Sequence, residues 1–444
     1  MKQAFQTCRI ADIAEKVAMG PFGSNIKVET FVPAGVPIIS GAHLKGFYVE
    51  EDSFNYITEE HAQRLKNSIV YPGDIIFTHA GTVGQAAMIP YDCHYPFYMI
   101  SQRQFYLRCD KKRVIPEYLV YYFHSHEGQG KLLSNVSQVG VPSIAQPSSF
   151  LKTIEVPLPS LETQRRIVGI LDSFTKKIEV NNQINRNLEE QAKAIFKSWF
   201  VDFEPFQNRE FVDSELGRIP KGWRIGHFSD VISSTVCGDW GKDSPTGNYT
   251  EEVYCIRGAD IPEVNAGNKG KMPLRYILPK NIKTKRLSAG DIVIEISGGS
   301  PTQSTGRSTL ISDALLSRYK RVMICTNFCR AITPERGYSF WVSVLWKKFY
   351  SSSVFFQYEN GTTGIKNLDL SSFIENEPII IPPKEIAIKF EELGNSFVST
   401  IFGNGLESEH LSTIRDTLLT KLMSGEIALS EEIISKSVEP SSVG

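Results

Sequence analysis

The acidic residues of segment 290–297, GDIVIEIS, have the spacing of a metal-dependent nuclease core. That core usually has Lys where Ser297 stands, and the related segment 73–79, GDIIFTH, has no acidic residue after Asp74. A turn followed by a structural strand accounts for both segments. We therefore interpret Asp291 and Glu295 as structural residues rather than metal ligands.

Motifs for methyl transfer and for nucleotide binding are missing. The chain has neither the Asn-Pro-Pro-aromatic loop of an adenine methyltransferase nor a glycine-rich cofactor turn after a strand. Residues 402–405, FGNG, are glycine-rich but lie inside a helical pattern. Gly241-Lys242 and Gly270-Lys271 are followed by Asp and Met, not by the Ser or Thr of a phosphate-binding loop. We predict a chain without catalytic activity.

The His and Cys residues do not form the pattern of a metal site either. No H-E-x-x-H or C-x-x-C is present, and residues 124–126, HSH, are too short a cluster. We expect the seven scattered cysteines to be buried and reduced. The absence of an eighteen-residue apolar run and of a signal peptide predicts a cytoplasmic location.

Length and charge limit the partners. A chain of 444 residues, 41% hydrophobic and 22% charged, is expected to form two or more globular domains. A net charge of −1 and an isoelectric point of about 6.7 do not mark a nucleic-acid-binding protein. If the partner is DNA, the positive charge must be gathered on one face.

An internal repeat organises the sequence. Segment 41–44 recurs at 258–261 and segment 73–76 at 290–293, both at an offset of 217. Segments 148–150 and 156–159 recur at 371–373 and 379–382, at an offset of 223. Short apolar runs punctuated by Gly and Pro predict a strand-rich globule at the start of each half.

A heptad pattern follows each globule, and the second copy matches the first at the offset of 223. Two antiparallel, paired helices explain this register, although two unrelated amphipathic helices, each packed on its own globule, are the alternative. Asn181 and Asn404 occupy the same position, where a polar residue fixes register. Gly403 and Gly405 predict a softer second helix. The predicted pairing residues are Ile167, Leu171, Phe174, Ile178, Asn181, Leu188, Ile195 and Trp199, with Phe390, Phe397, Ile401, Asn404, Leu411, Leu418 and Leu422.

Seven segments carry a family resemblance. They are 161–167 (LETQRRI), 171–172 (LD), 177–179 (KIE), 182–184 (NQI), 196–203 (FKSWFVDF), 20–24 (GPFGS) and 219–223 (IPKGW). Together they resemble type I restriction-modification specificity subunits over nearly the whole chain. Segment 384–388, KEIAI, departs from the pattern because it lacks the Glu-Thr-Gln-Arg start (162–165) of the first helix.

The resemblance implies an α+β fold with two strand-rich α/β target-recognition domains, separated by two long antiparallel coiled-coil helices in a pseudo-two-fold repeat. We place these domains at 1–159 and 207–383, the helices at 160–206 and 384–430, and a flexible tail at 431–444. It also implies that each domain reads half of a split sequence in double-stranded DNA. The implied partners are two modification subunits, which carry S-adenosylmethionine, and restriction subunits, which use ATP and Mg²⁺.

Residues that read bases are expected on loops and are commonly Arg, Lys, Asn or Gln. We assign no contact to Gly140 and Gly364, which are expected in matching turns. The candidates are Lys27, His79, Thr82, Gln85, Gln102 and Arg103 in the first half, and Lys242, Gln303, Ser304, Arg307 and Lys366 in the second.

Two other functions fit parts of the pattern. A repeat joined by helices would also suit an adaptor whose two globules bind proteins and have no DNA specificity. A fused enzyme with a degenerate active site is a third interpretation, which the missing motifs disfavour. The resemblance and the basic loop residues favour a specificity subunit that has no catalysis of its own.

Overall fold

The computed structural model describes residues 5–137, 140–300, 302–361 and 365–427. These residues form two compact units. The first comprises residues up to 176 together with those from 411 onward, and the second comprises residues 177–410. The predicted tail at 431–444 and Gly364 lie outside the described residues.

The first unit is strand-rich, and its helices are short apart from α6, which continues beyond it. Its strands are β1 (Thr7–Arg9), β2 (Ala14–Met19), β3 (Val36–Ile39), β4 (Asn55–Ile57), β5 (Ile69–Val70), β6 (Ile75–Thr78), β7 (Ala86–Met88), β8 (Tyr98–Ile100), β9 (Gln104–Cys109), β10 (Val136–Ser137), β11 (Ser143–Ile144) and β12 (Glu155–Pro157). Its helices are α1 (Ile10–Ile13), α2 (Glu59–Arg64), α3 (Pro116–His124), α4 (His126–Leu133), α5 (Pro147–Thr153) and the start of α6 (Leu161–Phe200).

The second unit repeats this pattern. Its strands are β13 (Phe211–Ser214), β14 (Gly217–Pro220), β15 (Arg224–His227), β16 (Ile232–Cys237), β17 (Glu251–Ile256), β18 (Leu274–Ile277), β19 (Ile292–Glu295), β20 (Ser297–Gly298), β21 (Ser308–Leu310), β22 (Met323–Cys325), β23 (Cys329–Pro334), β24 (Glu359–Asn360), β25 (Lys366–Leu368) and β26 (Pro378–Ile381). Its helices are α7 (Ile261–Asn265), α8 (Pro279–Lys285), α9 (Asp313–Leu316), α10 (Ser339–Ser351), α11 (Leu370–Asn376) and most of α12 (Lys384–Met423).

Sheet topology confirms the repeat. In the first unit one four-stranded sheet has the order β2-β9-β6-β7, and in the second the order is β16-β23-β19-β21. A second sheet contains a parallel pair in each unit, β3 with β8 and β17 with β22. Each unit is therefore one copy of the same mixed α+β module.

The repeated Gly-Asp-Ile segment is a turn before a buried strand. Gly73 and Gly290 have φ of +89° and +95°, a region that glycine enters without strain. Asp74 accepts a hydrogen bond from the Tyr71 backbone N–H (2.9 Å), and Asp291 from that of Ser288 (2.7 Å). Both carboxylates thus close the turn. The predicted turn and the strand that follows it are both present at Asp291.

In each unit the two long helices pack against each other. In the first unit Ile167 and Leu171 of α6 share a core with Leu419 and Leu422 of α12, against which Leu418 also packs. In the second unit Phe196 of α6 lies 6.0 Å from Phe390 of α12, between ring centres, and Trp199 lies 6.1 Å from it. Residue numbers rise along one helix as they fall along the other, so the pairing is antiparallel.

The buried stripe of α6 differs in detail from the predicted heptad positions. Within the second unit the buried residues are Asn181, Asn185, Ala192, Phe196 and Phe200. Several of the predicted pairing residues are only half-buried. In the second unit these are Ile178, Leu188, Ile195, Trp199, Phe397 and Asn404, and in the first unit they are Phe174 and Leu411. The stripe shifts because this end of α6 also packs on its globule, where Phe200 lies 5.8 Å from the Trp223 ring.

Two of the resembling segments meet in this packing. Phe203, with φ of +54°, follows α6 and lies with its ring 5.1 Å from that of Trp223. Phe206 lies 5.4 Å from the same indole. The FKSWFVDF segment and the IPKGW segment are therefore parts of one aromatic cluster that attaches α6 to the second globule.

Gly405 has a packing role that its low helix propensity did not suggest. A Cβ at this position would lie 2.0 Å from the carbonyl oxygen of Gly267, and a Cβ at Gly267 would lie 2.3 Å from that of Ile401. The loop after α7 therefore approaches α12 backbone to backbone. Helix α12 runs unbroken through Gly403 and Gly405.

The cysteines are less buried than expected. All seven are free thiols, of which Cys109, Cys255, Cys325 and Cys329 are buried. Cys8 and Cys93 are half-buried and Cys237 is exposed, because each lies in or beside a loop or edge strand. Among the described helices, none combines the length and hydrophobicity needed to cross a membrane.

Candidate nucleic-acid interface

In the first unit the turn between β8 and β9 presents Gln102 and Arg103 to solvent. The backbone N–H of Gln104 closes this turn on the carbonyl oxygen of Ser101 (3.1 Å). The His79 backbone N–H donates to the Arg103 carbonyl oxygen (3.0 Å). The Nε2 atom of the His79 ring lies 3.1 Å from the Gln102 carbonyl oxygen. His79 therefore supports the turn, while the Gln102 and Arg103 side chains remain exposed.

The loop after β6 lies beside that turn. Thr82 is exposed, and a Cβ at neighbouring Gly81 would lie 3.4 Å from Arg103 Nη1. The Ile144 backbone N–H donates to the His79 carbonyl oxygen (2.9 Å), which attaches the β10–β11 hairpin to the same edge. The structure thus brings His79, Thr82, Gln102 and Arg103 together on one polar surface.

Gln85 faces inward from this surface. Its amide donates to the carbonyl oxygens of Gly41 and Leu44, both at 3.0 Å, and accepts from the Thr78 hydroxyl, also at 3.0 Å. A Cβ at Gly41 would lie 3.0 Å from Gln85 Oε1, so the glycine permits the contact. Gln85 therefore holds the 41–44 turn against β6.

The second unit has an ion pair in the corresponding place. Arg307 donates two hydrogen bonds of 2.7 Å to Glu295, and these bonds raise the pKa of the guanidinium. A Cβ at Gly258 would lie 2.1 Å from Glu295 Oε1. Gly258, Glu295 and Arg307 thus repeat the arrangement of Gly41, Thr78 and Gln85. Glu295, which the sequence could present as a metal ligand, is the partner of a cation.

The loop before β21 is fixed by a second carboxylate. Glu359 accepts from the backbone and hydroxyl of Thr305 (2.6 and 2.8 Å) and from Lys366 Nζ (2.8 Å). Burial opposes its ionisation, but the hydrogen bonds from Lys366 and Thr305 leave the pKa of Glu359 lowered. Ser304 is buried in this loop. Arg307 and Lys366 therefore have structural contacts and Ser304 is buried, and a role for the three in DNA reading stays a prediction.

The remaining candidates are exposed. Gln303 is exposed, and its backbone N–H donates to the Ser300 hydroxyl (3.0 Å). The Lys242 ammonium lies 5.6 Å from the Tyr249 ring centre. Lys27 is exposed on a separate turn that Thr30 closes, with Oγ1 donating to the Lys27 carbonyl oxygen (2.6 Å). No contact among the described residues joins Lys27 to the Arg103 surface. Gly140, to which no contact was assigned, has φ of +78°.

Sequence reasoning missed exposed aromatic residues at repeated positions. Phe22 and Trp240 precede Gly23 and Gly241, which both have positive φ, and each pair lies at an offset of 218. Phe328, on the turn between β22 and β23, is 55% exposed. The repeated Gly-x-aromatic-Gly pattern could have revealed the first two. For Phe328 the signal was the alignment of this turn with that of Arg103.

The segment at the start of α6 has a structural task as well. Gln164 is fully buried, accepts from the Ile115 backbone N–H (2.8 Å) and donates to the Pro159 carbonyl oxygen (2.8 Å). In α12 the corresponding contact is made by Glu391, which accepts from the backbone N–H of Ser339 at the start of α10 (2.9 Å). The distal helix thus lacks the Gln but keeps an acceptor, one turn later.

Each globule is also attached to the helices through the loop after β3 or β17. In the first unit the Tyr48 hydroxyl donates to Asp172 (2.6 Å), and the Arg415 guanidinium lies 4.6 Å from the Phe47 ring centre. In the second unit Asn185 donates to the Ala266 carbonyl oxygen (3.1 Å), and Lys269 pairs with Glu409 (2.6 Å). Each loop therefore contacts both long helices. Within the described residues no cluster of His, Cys, Asp or Glu could hold a metal ion.

Comparison with known proteins agrees with this architecture. Residues 3–190 match the family model of the type I restriction modification DNA specificity domain. The MjaIX type I restriction enzyme specificity subunit of Methanocaldococcus jannaschii is 28% identical over 435 residues. The match covers 95% of this chain and 93% of the length of that subunit. The HindI specificity subunit of Haemophilus influenzae is 24% identical over 415 residues, covering 80% and 86%. The crystal structure of an S subunit from M. genitalium shares the fold, with a TM-score of 0.51 at 14% identity over 94% of this chain and 96% of that one.

Each module has a polar turn at its edge. Together with the repeat and the paired helices, these turns define a two-module recognition protein. The predicted resemblance is confirmed by the family model and by relatives that span nearly the whole chain. The chain is similar to type I restriction-modification specificity subunits over nearly its whole length.

Proposed function

We propose that this chain reads a bipartite sequence in double-stranded DNA and positions catalytic subunits on it. The observation that carries the proposal is the repeat of one loop-bearing module, with Arg103 and Gln102 exposed on a turn fixed by three hydrogen bonds. Such pre-organised side chains suit contact with base edges in a groove. Two modules would read two half-sequences.

The catalytic partners have a candidate docking surface on α6. Val180 and Ile184 lie one turn apart on the helix and are 47% and 39% exposed. Apolar residues that adjoin on an exposed helix face favour a protein partner. We infer that a modification subunit docks on this face. On α12 the exposed leucines Leu393 and Leu406 lie at other positions and on different sides of the helix.

Catalysis and cofactors are assigned to the partners. We propose that S-adenosylmethionine is held by the modification subunits, and ATP and Mg²⁺ by restriction subunits, as the family resemblance implies. This chain contributes no catalytic group to methyl transfer or cleavage. We place the complex in the cytoplasm, where DNA is its substrate and free thiols such as Cys237 stay reduced.

Methylation mapping of cells that carry the whole system tests this function. We expect methylated adenines within one bipartite sequence, and none when this chain is deleted. Arg103→Ala should reduce or relax recognition of one half only, whereas Lys152→Ala, at an exposed position on α5, should not. Binding of the assembled complex should also weaken steeply with salt, because phosphate contacts release counterions. Unchanged methylation without this chain would contradict the proposal and favour an adaptor.

A further inference from the structure

The turn that carries Arg103 has an equivalent in the second module. In the first module, the Gln104 backbone N–H donates to the Ser101 carbonyl oxygen (3.1 Å). In the second module, the Cys329 backbone N–H donates to the Thr326 carbonyl oxygen (2.9 Å). A glycine packs against each turn, since a Cβ at Gly20 would lie 2.0 Å from the Ser101 oxygen. In the second module, a Cβ at Gly238 would lie 1.8 Å from the Thr326 carbonyl oxygen.

A further hydrogen bond fixes the alignment to single residues. The Arg103 carbonyl oxygen accepts from the His79 backbone N–H (3.0 Å). In the second module the Phe328 carbonyl oxygen accepts from the Ile296 backbone N–H (2.9 Å). Arg103 and Phe328 are therefore the third residue of the same turn, in the same backbone environment. The second residue carries an amide in both, Gln102 and Asn327, and all four are exposed.

The two modules thus present opposite chemistry from one position. Arg103 offers a planar set of donors, which suits the O6 and N7 acceptors of guanine. Phe328 offers no donor or acceptor, and more than half of its surface is exposed to water although the buried core lies one residue away at Cys329. In the major groove the apolar group presented by a base is the 5-methyl of thymine.

We propose that Phe328 determines specificity in the second half-sequence by contacting the 5-methyl group of a thymine, whereas Arg103 reads a guanine in the first. This rests on the proposed function, because it assumes that these turns enter the major groove. Burial of one methyl group against the ring favours thymine over uracil by a factor of roughly four to ten. Asn327 is placed to contact the neighbouring base.

The test uses the complex of this chain with its modification subunits and the target defined by methylation mapping. Duplexes carry uracil in place of each thymine of the second half-sequence in turn, and binding is measured by fluorescence anisotropy. We expect one substitution to weaken binding roughly four- to tenfold. Phe328→Ala should bind the thymine duplex that much more weakly and no longer distinguish it from the uracil duplex. Leu216→Ala, another exposed apolar residue of this unit, is the control.

A parallel experiment tests Arg103. It uses duplexes that carry 7-deazaguanine, which lacks the N7 acceptor of guanine, and the Arg103→Ala variant. If no uracil duplex binds more weakly, or if Phe328→Ala weakens all duplexes equally and still prefers thymine, the assignment of Phe328 is overturned. A complex that shows no preference for its mapped sequence would instead overturn the proposed function. Circular dichroism and co-purification of the Phe328→Ala complex establish that it is folded and assembled.

Discussion

The side-chain oxygen of Asn185 on α6 accepts a hydrogen bond from the side-chain amide of Asn404 on α12, over 2.8 Å. Asn185 also donates to the Ile401 and Ala266 carbonyl oxygens, both at 3.1 Å. One buried amide therefore links the two helices and a globule loop. A polar residue in such a position costs packing energy but allows only one register.

Asn404→Ala should destabilise the second unit. The variant leaves the buried Asn185 oxygen without its donor, which costs about 1–3 kcal/mol. All five tryptophans lie between residues 199 and 346, so urea unfolding followed by tryptophan fluorescence reports this unit. Ser399→Ala, at an exposed site on α12, should change the midpoint little. Equal midpoints for the two variants would show that the amide pair contributes nothing.

Ile184→Asp should separate this chain from the proposed modification subunit without unfolding it. The side chain lies on the exposed face of α6 beside Val180, so a charge there costs little until a partner buries it. Co-purification measures the loss, which we expect to exceed tenfold in affinity for a buried, unpaired charge. Leu216→Asp, on an exposed hairpin turn, should still co-purify. Retention of the partner by Ile184→Asp would place the docking surface elsewhere.

Insertion of one heptad into both long helices should lengthen the unread gap in the target. The insertions belong after Lys176 and after His410, where the chain passes between compact units. Seven residues at ~1.5 Å each add about 10 Å, or roughly three base pairs at ~3.4 Å. Methylation mapping should then show both half-sequences unchanged. Altered half-sequences with the original gap would refute the role of the helices as a spacer.

Acid should weaken the first unit through His124. Burial lowers the pKa of this imidazole, whose Nε2 lies 2.7 Å from the Ala86 carbonyl oxygen. Its folded pKa is below the unfolded value of ~6.5, so its contribution is complete above that pH and is lost as the pH falls through the folded pKa. Hydrogen exchange of α3, compared at pH 7.5 and 5.5 after correction for intrinsic rates, should show less protection at the lower pH. His124→Gln should reduce the difference, and an unchanged difference would rule out this residue as the cause.

A fragment ending at Phe206 should form a homodimer that reads a palindrome. At the offset of 223, Leu419, Leu422 and Met423 correspond to Phe196, Trp199 and Phe200, so a second copy would bring these larger side chains against Ile167 and Leu171. We therefore expect a dimer weakened by overpacking, by about 1–3 kcal/mol. Leu171→Ala should strengthen it. Sedimentation measures the dimer, and a fragment that stays monomeric at all concentrations would show that the two halves are not equivalent.

The sequence predicted those parts of the fold that repeat. Matching Gly-Asp turns and a helix register held at an offset of 223 predicted two modules and paired helices, because the offsets survive loop insertions. The stripe around Phe196 and Phe200 was not predicted, since the contact with Trp223 depends on tertiary packing rather than on helical periodicity. The packing role of Gly405 was not predicted for the same reason, because nothing in the local sequence indicates the approach of Gly267.

The candidate site was predicted less well. Arg, Gln and Lys on loops look alike in sequence, and only the structure separates Arg103, which is exposed, from Arg307, which is bound to Glu295. A loop's chemistry depends on whether another residue already uses its polar atoms. Phe328 went unnoticed because an aromatic residue beside a strand is usually part of the core.

The first compact unit is discontinuous, since residues 411–427 complete a core that otherwise ends at residue 176. During translation, residues 177–410 must be made before Leu419 and Leu422 can cover Ile167 and Leu171. At roughly 5–20 residues per second, that interval is on the order of tens of seconds. The nascent chain therefore carries an uncovered apolar helix face for most of its synthesis. Chaperone binding, or a second nascent chain on the same messenger, would compete for it.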